Sequence, residues 1–109
     1  MNDCIFCKIA RKEAPAKILY EDDSFIAFAN IHPVAPGHTL LIPKAHYRWF
    51  IDMPDDLYAN LFLKAKDVAK ILKDNHSADF VRLGIVGKDV PHTHIHLVPQ
   101  RIGDGGPEL

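Results

Sequence analysis

Residues 91–99 read PHTHIHLVP, and this alternation leaves the backbone little choice. A repeat of two is the repeat of a β-strand, whose successive side chains point to opposite faces. The spacing predicts a strand over 92–99. His92, His94 and His96 fall on one face of it, about 7 Å apart between neighbours, with Thr93, Ile95 and Leu97 turned toward a core.

Three aligned imidazoles suit a solvated face, a zinc site or nucleophilic catalysis. Neutral imidazole is a common zinc ligand. A neutral histidine can also attack phosphorus and carry the phosphoryl group, while flanking imidazoles orient it, donate to phosphate oxygens and help protonate a leaving group. Spacing alone does not separate the last two. A zinc built on the three histidines leaves the other histidines and the CxxC pair unexplained. The turn Val86–Gly87–Lys88 just upstream can bring backbone N–H groups to an anion.

The remaining elements follow from pattern. Cys4 to Glu13 suits a short helix, with Ile5, Phe6 and Ile9 at helical spacing and Pro15 ending it. AKILYEDD and SFIAFAN read as two strands joined by the acidic turn Glu21–Asp22–Asp23, and HTLLIPK as a third strand stopped by Pro43. Pro54 to Asn75 forms the long helix. Its apolar face is Leu57, Leu61, Ala65, Val68 and Leu72, with Phe62 and Ala69 beside it and the lysines outside. Pro54 suits the first turn, and Asp55 and Asp56 suit the positive end of the dipole. DFVRLGIVG is the fourth strand and HTHIHLVP the fifth. The tail QRIGDGGPEL is polar, glycine-rich and loosely held. The expected fold class is α+β: one domain over 1–109, with a mostly antiparallel five-stranded sheet and one long and one short helix on one side.

A formal net charge of −1 offers no basic field for nucleic acid. No apolar run spans a bilayer, and MNDCIFCKIA lacks the basic start and apolar stretch of a signal peptide. A cytoplasmic protein without membrane or nucleic-acid partners is expected. Cys4 and Cys7 are the only cysteines. The pair reads as two buried small hydrophobes or as ligands of a structural zinc, and it lacks the strand that precedes a thioredoxin-like pair. His32 and His76 are expected to face solvent.

PGHTLLIPKAH together with PHTHIHLVP resembles the histidine triad (HIT) family. The stretch from CIFCKIA to IPKAH is similar to its histidine-triad nucleotide-binding (Hint) branch. The resemblance implies a HIT-like fold pairing into a homodimer, with a sheet continuous across the subunits. It implies hydrolysis or transfer at the α-phosphate of purine nucleoside phosphoramidates or similar conjugates of an AMP-type nucleotide. His94 is then the nucleophile that forms a nucleotidyl-histidine intermediate, His96 and His38 lie near the phosphate, and His92 holds the nucleophile. Ile5, Phe6, Ile9, Phe28, Ile31, Leu40 and Val90 match positions that enclose the base, and each also suits ordinary core. Asn30 matches the ribose position, where many relatives carry aspartate. The resemblance further implies Cys4, Cys7, His46 and His92 as ligands of a structural zinc, with no cofactor needed for catalysis.

The chain departs from the family pattern in two places. The loop before the triad is cut to GIVGKDVPH, with Lys88 where glutamine is usual, either pairing with phosphate as a point charge or facing solvent. Asp89 stands where relatives carry serine near the leaving group, which shifts the expectation toward P–N substrates and away from dinucleoside polyphosphates. Two rivals remain: a nucleotide-binding module with little catalysis, and a metal-dependent hydrolase using the three histidines.

Overall fold

The computed structural model describes residues 4–103. The elements in chain order are α1 (Ile5–Ala10), β1 (Ile18–Glu21), β2 (Phe25–Ala29), β3 (Thr39–Pro43), a single 3-10 turn (Phe50–Asp52), α2 (Asp55–Asn75), β4 (Phe80–Ile85) and β5 (Ile95–Gln100). The strands form one antiparallel sheet in the order β1-β2-β3-β5-β4, so the expected α+β class with five strands is what the chain adopts.

The β1–β2 hairpin is closed by Asp22, whose carboxylate accepts the N–H groups of Ser24 and Phe25 at 2.8 Å each. Asparagine and aspartate favour such turns because the side chain reproduces a backbone hydrogen bond. In β2 and β3 nearly every side chain is buried. Phe25, Ala27 and Leu41 pack toward α2 with Ile95 and Leu97. Ile26, Phe28, Leu40 and Ile42 pack the other way, against Phe6, Cys7 and Ile9 of α1. The two helices therefore cover opposite faces, which corrects the expectation of helices on one side. SFIAFAN carries the signal: an unbroken apolar run, not an alternating one, marks a strand buried on both faces.

Helix α2 presents Leu61, Ala65, Val68 and Leu72, all at most 2 % exposed, as its buried stripe, with Leu57 and Phe62 at its margin. Pro54 is the residue before the first turn, with ψ 146, so it precedes the helix and does not open it. Both helices end in the same way. Lys12 and Ser77 take left-handed φ of 64 and 50. The N–H groups of Lys12 and Glu13 return to Ile9 and Lys8, and those of Ser77 and Ala78 to Asp74 and Lys73. This is the Schellman arrangement, which satisfies the last carbonyls of the helix. It stops α1 at Ala10, so Pro15 is not the terminator.

Strand β5 begins at Ile95, three residues after the predicted start. Thr93 is held outside it because its N–H and Oγ1 both donate to the Tyr47 carbonyl at 2.6 Å. Gln100, expected in the tail, closes β5 and is buried. Most of the expected loose tail, 104–109, lies outside the described residues. Among the described residues no helix is long and apolar enough to cross a membrane.

Gly37 sits at the entrance to β3 with φ +86, and a Cβ there would stand 2.7 Å from Pro99 Cγ and 2.8 Å from His76 Nε2. Left-handed backbone and close approach both require glycine. Gly37→Ala is expected to cost about 1–3 kcal/mol in urea unfolding; an unchanged midpoint would show that the loop relaxes freely.

Candidate functional site

A pocket of about 630 Å³ opens on the α1 face of the sheet. Ile5, Phe6 and Ile9 of α1 form one wall, Phe28 and Leu40 the floor, and His94 and His96 part of the opposite side. Asn30, Ile31, Asp89 and Val90 of the expected set also line it. Val86 and Gly87 of the turn before the triad line it too, and Ala14, Pro15, Ala16, Ala29 and His32 do so without having been anticipated. Ala29 ends β2, and the others lie in the connections after α1, β2 and β4, where no periodic signal marks them. Lys88 is exposed and is absent from the lining, so its solvent-facing alternative matches the geometry.

The histidines divide into two groups because the chain before Ile95 is not a strand. His94 and His96 lie edge to face, ring centroids 4.9 Å apart, closer than the strand spacing predicted. His92 is fully buried and turns to the ring of His46, 5.0 Å away. Among the described residues, the group of ligand atoms close enough to share a metal ion takes only His92 from the triad, so the geometry does not favour a three-histidine centre.

Hydrogen-bond partners fix which nitrogen of each ring carries the proton. His94 Nδ1 lies 2.7 Å from the His92 carbonyl, which only accepts. Nδ1 is therefore the donor, and the lone pair is on Nε2. His38 Nδ1 accepts from the Val34 N–H at 3.1 Å, so the neutral ring carries its proton on Nε2. That Nε2–H donates to His96 Nδ1 at 2.9 Å, leaving His96 with an N–H at Nε2. Asn30 Oδ1 accepts the His32 N–H at 3.0 Å and holds the adjoining loop, while its Nδ2, a donor like His38 Nε2–H in this tautomer, lies 3.4 Å from that nitrogen without bonding to it. Burial holds His96 down at about 4, helped by the neighbouring His94 and His38, while Asp89 pulls the other way. Burial lowers His38 as well.

The second cluster lies behind the first. Cys4 caps α1 and Cys7 lies one turn on, so the CxxC spacing brings both thiols to one side of the helix end. With His46 and His92 they offer four ligand atoms within 4.8 Å of one another. His92 Nε2 donates to the Pro43 carbonyl at 2.8 Å, which leaves the Nδ1 lone pair facing His46 Nδ1 at 3.2 Å and Cys7 Sγ at 3.3 Å. Cys7 Sγ is 3.1 Å from His46 Nδ1. A tetrahedral zinc, with Zn–N about 2.0 Å and Zn–S about 2.3 Å, separates its ligand atoms by about 3.3–3.8 Å, so the donor set fits such an ion with little movement. Burial and the adjacent Cys4 push the Cys7 thiol up to about 11, and a cation is what would bring its thiolate form within reach. His92 is itself held down to about 4, chiefly by burial. Phe6 joins the clusters, with its ring 5.1 Å from that of His94 and 6.1 Å from that of His92.

Comparison with known proteins agrees with this geometry. A family model described as HIT domain matches residues 11–103. The chain is 42 % identical over 106 residues to an uncharacterized HIT-like protein of Methanocaldococcus jannaschii, covering 94 % of this chain and 82 % of that one. It is 39 % identical over 99 residues to the adenosine 5'-monophosphoramidase HNT1 of Saccharomyces cerevisiae, covering 90 % of this chain and 63 % of that protein. A zinc-bound histidine triad family protein from Mycobacterium smegmatis superposes with a TM-score of 0.90 at 35 % identity, covering 96 % and 80 % of the two chains.

The depressed pKa of His96 has a signed consequence. Between pH 6.5 and about 4 the unfolded chain binds a proton that folded His96 refuses, so stability falls as pH drops through that window and levels off below it. Urea midpoints measured from pH 7.5 to 4 are expected to fall less steeply in His96→Gln than in wild type. Parallel profiles would mean that His96 titrates normally in the fold.

Proposed function

Because this chain belongs to the HIT family, we propose that it is a nucleotide hydrolase or transferase acting at the α-phosphate of purine nucleoside phosphoramidates or similar conjugates. The observation that carries the reading is the His94 ring, with Nδ1–H tied to a backbone carbonyl and Nε2 left as a lone pair in a nucleotide-sized pocket. The carbonyl does for this imidazole what an orienting carboxylate does in other nucleophile pairs: it sets the tautomer and supports the positive ring formed on attack.

In the proposed sequence Nε2 of His94 bonds to the α-phosphorus and the P–N bond breaks, giving a nucleotidyl-histidine. Water then attacks phosphorus and frees His94. Overall, water supplies the oxygen gained by phosphorus and the proton gained by the amine. The departing nitrogen takes its proton from solvent as the P–N bond breaks, and the Nε2–H of His96, aligned through His38, is the hydrogen-bond donor available to a phosphoryl oxygen. His92 acts as a positioning residue through its carbonyl. Ile5, Phe6, Ile9, Phe28, Ile31, Leu40 and Val90 enclose the purine of an AMP-type ligand, and Asn30 meets the ribose hydroxyls. The yeast relative is named for adenosine 5'-monophosphoramidase activity, which agrees with this choice of substrate.

Turnover of an adenosine 5'-phosphoramidate is expected in the wild type, and a loss of about a thousandfold or more in His94→Ala with nucleotide still bound. Nucleotide binding without turnover in the wild type would instead favour a binding module and point to the shortened loop.

Cys4, Cys7, His46 and His92 hold a structural zinc in this reading, a role supported by the fit of the donor set and by the zinc-bound mycobacterial neighbour. The ion supplies fold stability and takes no part in the chemistry. Purified protein is expected to carry about one zinc per chain by elemental analysis, with Cys7→Ser losing both the metal and thermal stability; wild type without zinc would refute this. The functional unit is a homodimer. The outer edge of β4 has no strand partner among the described residues, and Phe80 and Leu83 are exposed on that strand.

A further inference from the structure

Among the residues that line the pocket, Asp89 is the one carboxylate, and no lysine or arginine stands beside it. Apart from Asn30 and three imidazoles, the rest of the lining is apolar, from α1 and β2 round to Val86 and Gly87. Among the described residues no cation pairs with Asp89 and no hydrogen bond uses its carboxylate, and the side chain is exposed. Lys88, next to it in sequence, makes no ion pair and stays outside the lining. The carboxylate is close enough to the catalytic corner for its field to favour the cationic form of His96.

An uncompensated carboxylate is an odd neighbour for a phosphate unless something positive lies between or beyond them. Its energy is unfavourable toward a second anion and favourable toward a cation, and a pocket with apolar walls screens it less than open water does. Gly87, at φ +114, keeps this rim in place: a Cβ there would meet the Trp49 ring at 3.1 Å and the Arg48 carbonyl at 3.2 Å. Asp89 thus follows a backbone segment packed closely against the Trp49 ring.

We propose that Asp89 makes this pocket select conjugates whose leaving group carries a cation, an ammonium or guanidinium, beyond the bond that breaks. The proposal rests on the reading of this pocket as the site of attack on a nucleotide phosphate. It narrows the substrate class to P–N conjugates of amines that bear a second, positively charged group. Conjugates ending in a carboxylate or a further phosphate are disfavoured. Specificity here comes from repulsion of the wrong partner as much as from attraction of the right one.

Three adenosine 5'-phosphoramidates test it, with nitrogen substituents of equal length ending in an ammonium, a hydroxyl or a carboxylate. The wild type is expected to prefer the ammonium compound over the carboxylate by about tenfold or more in kcat/KM, with the hydroxyl between them. Asp89→Asn is expected to bring that ratio to within about twofold of one. The same order is expected in Kd by calorimetry with His94→Ala protein, which binds without turning over. A wild-type ratio near one, or a ratio unaltered in Asp89→Asn, overturns the proposal. Should the wild type hydrolyse none of the three, the catalytic reading fails, while the order of the three Kd values still decides the role of Asp89.

Discussion

The structure depends on how one buried histidine spends its polar atoms. His92 gives Nε2–H to the Pro43 carbonyl, turns Nδ1 toward Cys7 and His46, and offers its own carbonyl to His94. These contacts link the end of β3, the helix α1 and the His94 ring in the pocket. With no exposed surface, the residue has no solvent to substitute for a lost partner, so each contact constrains the others. The thiol–imidazole cluster and the His94 ring in the pocket are thereby mechanically joined through a single residue.

The two faces of the sheet divide the labour. The face under α2 is filled by Leu61, Val68, Leu72, Ile95 and Leu97, and it supplies apolar burial with no chemistry in it. The face under α1 carries the pocket, the relay from His38 to His96 and the cysteine cluster. That arrangement needs the central strands to be apolar on both sides, as β2 and β3 are. Polar side chains reach the interior only where a specific partner meets them: among the described residues no buried side-chain nitrogen or oxygen lacks a hydrogen bond.

Much of this was legible in the chain itself. The α2 stripe, the hairpin turn at Asp22 and the gathering of α1, β2 and β3 residues around one pocket follow from spacing and resemblance. The histidine row was half legible. Period two holds from Ile95 onward, where Ile95 and Leu97 join the core and His96 faces the pocket. It fails at 92–94, because the Tyr47 carbonyl takes both donors of Thr93 and pulls the segment out of the ladder. The placement of α1 also escaped, although the unbroken apolar run of β2 recorded it.

The sequence by itself determined what repeats locally: which residues share a strand face or a helix turn, and hence that Cys4 and Cys7 stand together and that His96 and Leu97 point apart. Only the tertiary structure decided which nitrogens of His92 and His96 carry the proton, whereas His94 finds its partner two residues away. The partners that set those tautomers are 58 residues away for His96 and 49 for His92. Backbone periodicity fixes directions along one element, whereas a proton's position depends on the acceptor that another element brings to it.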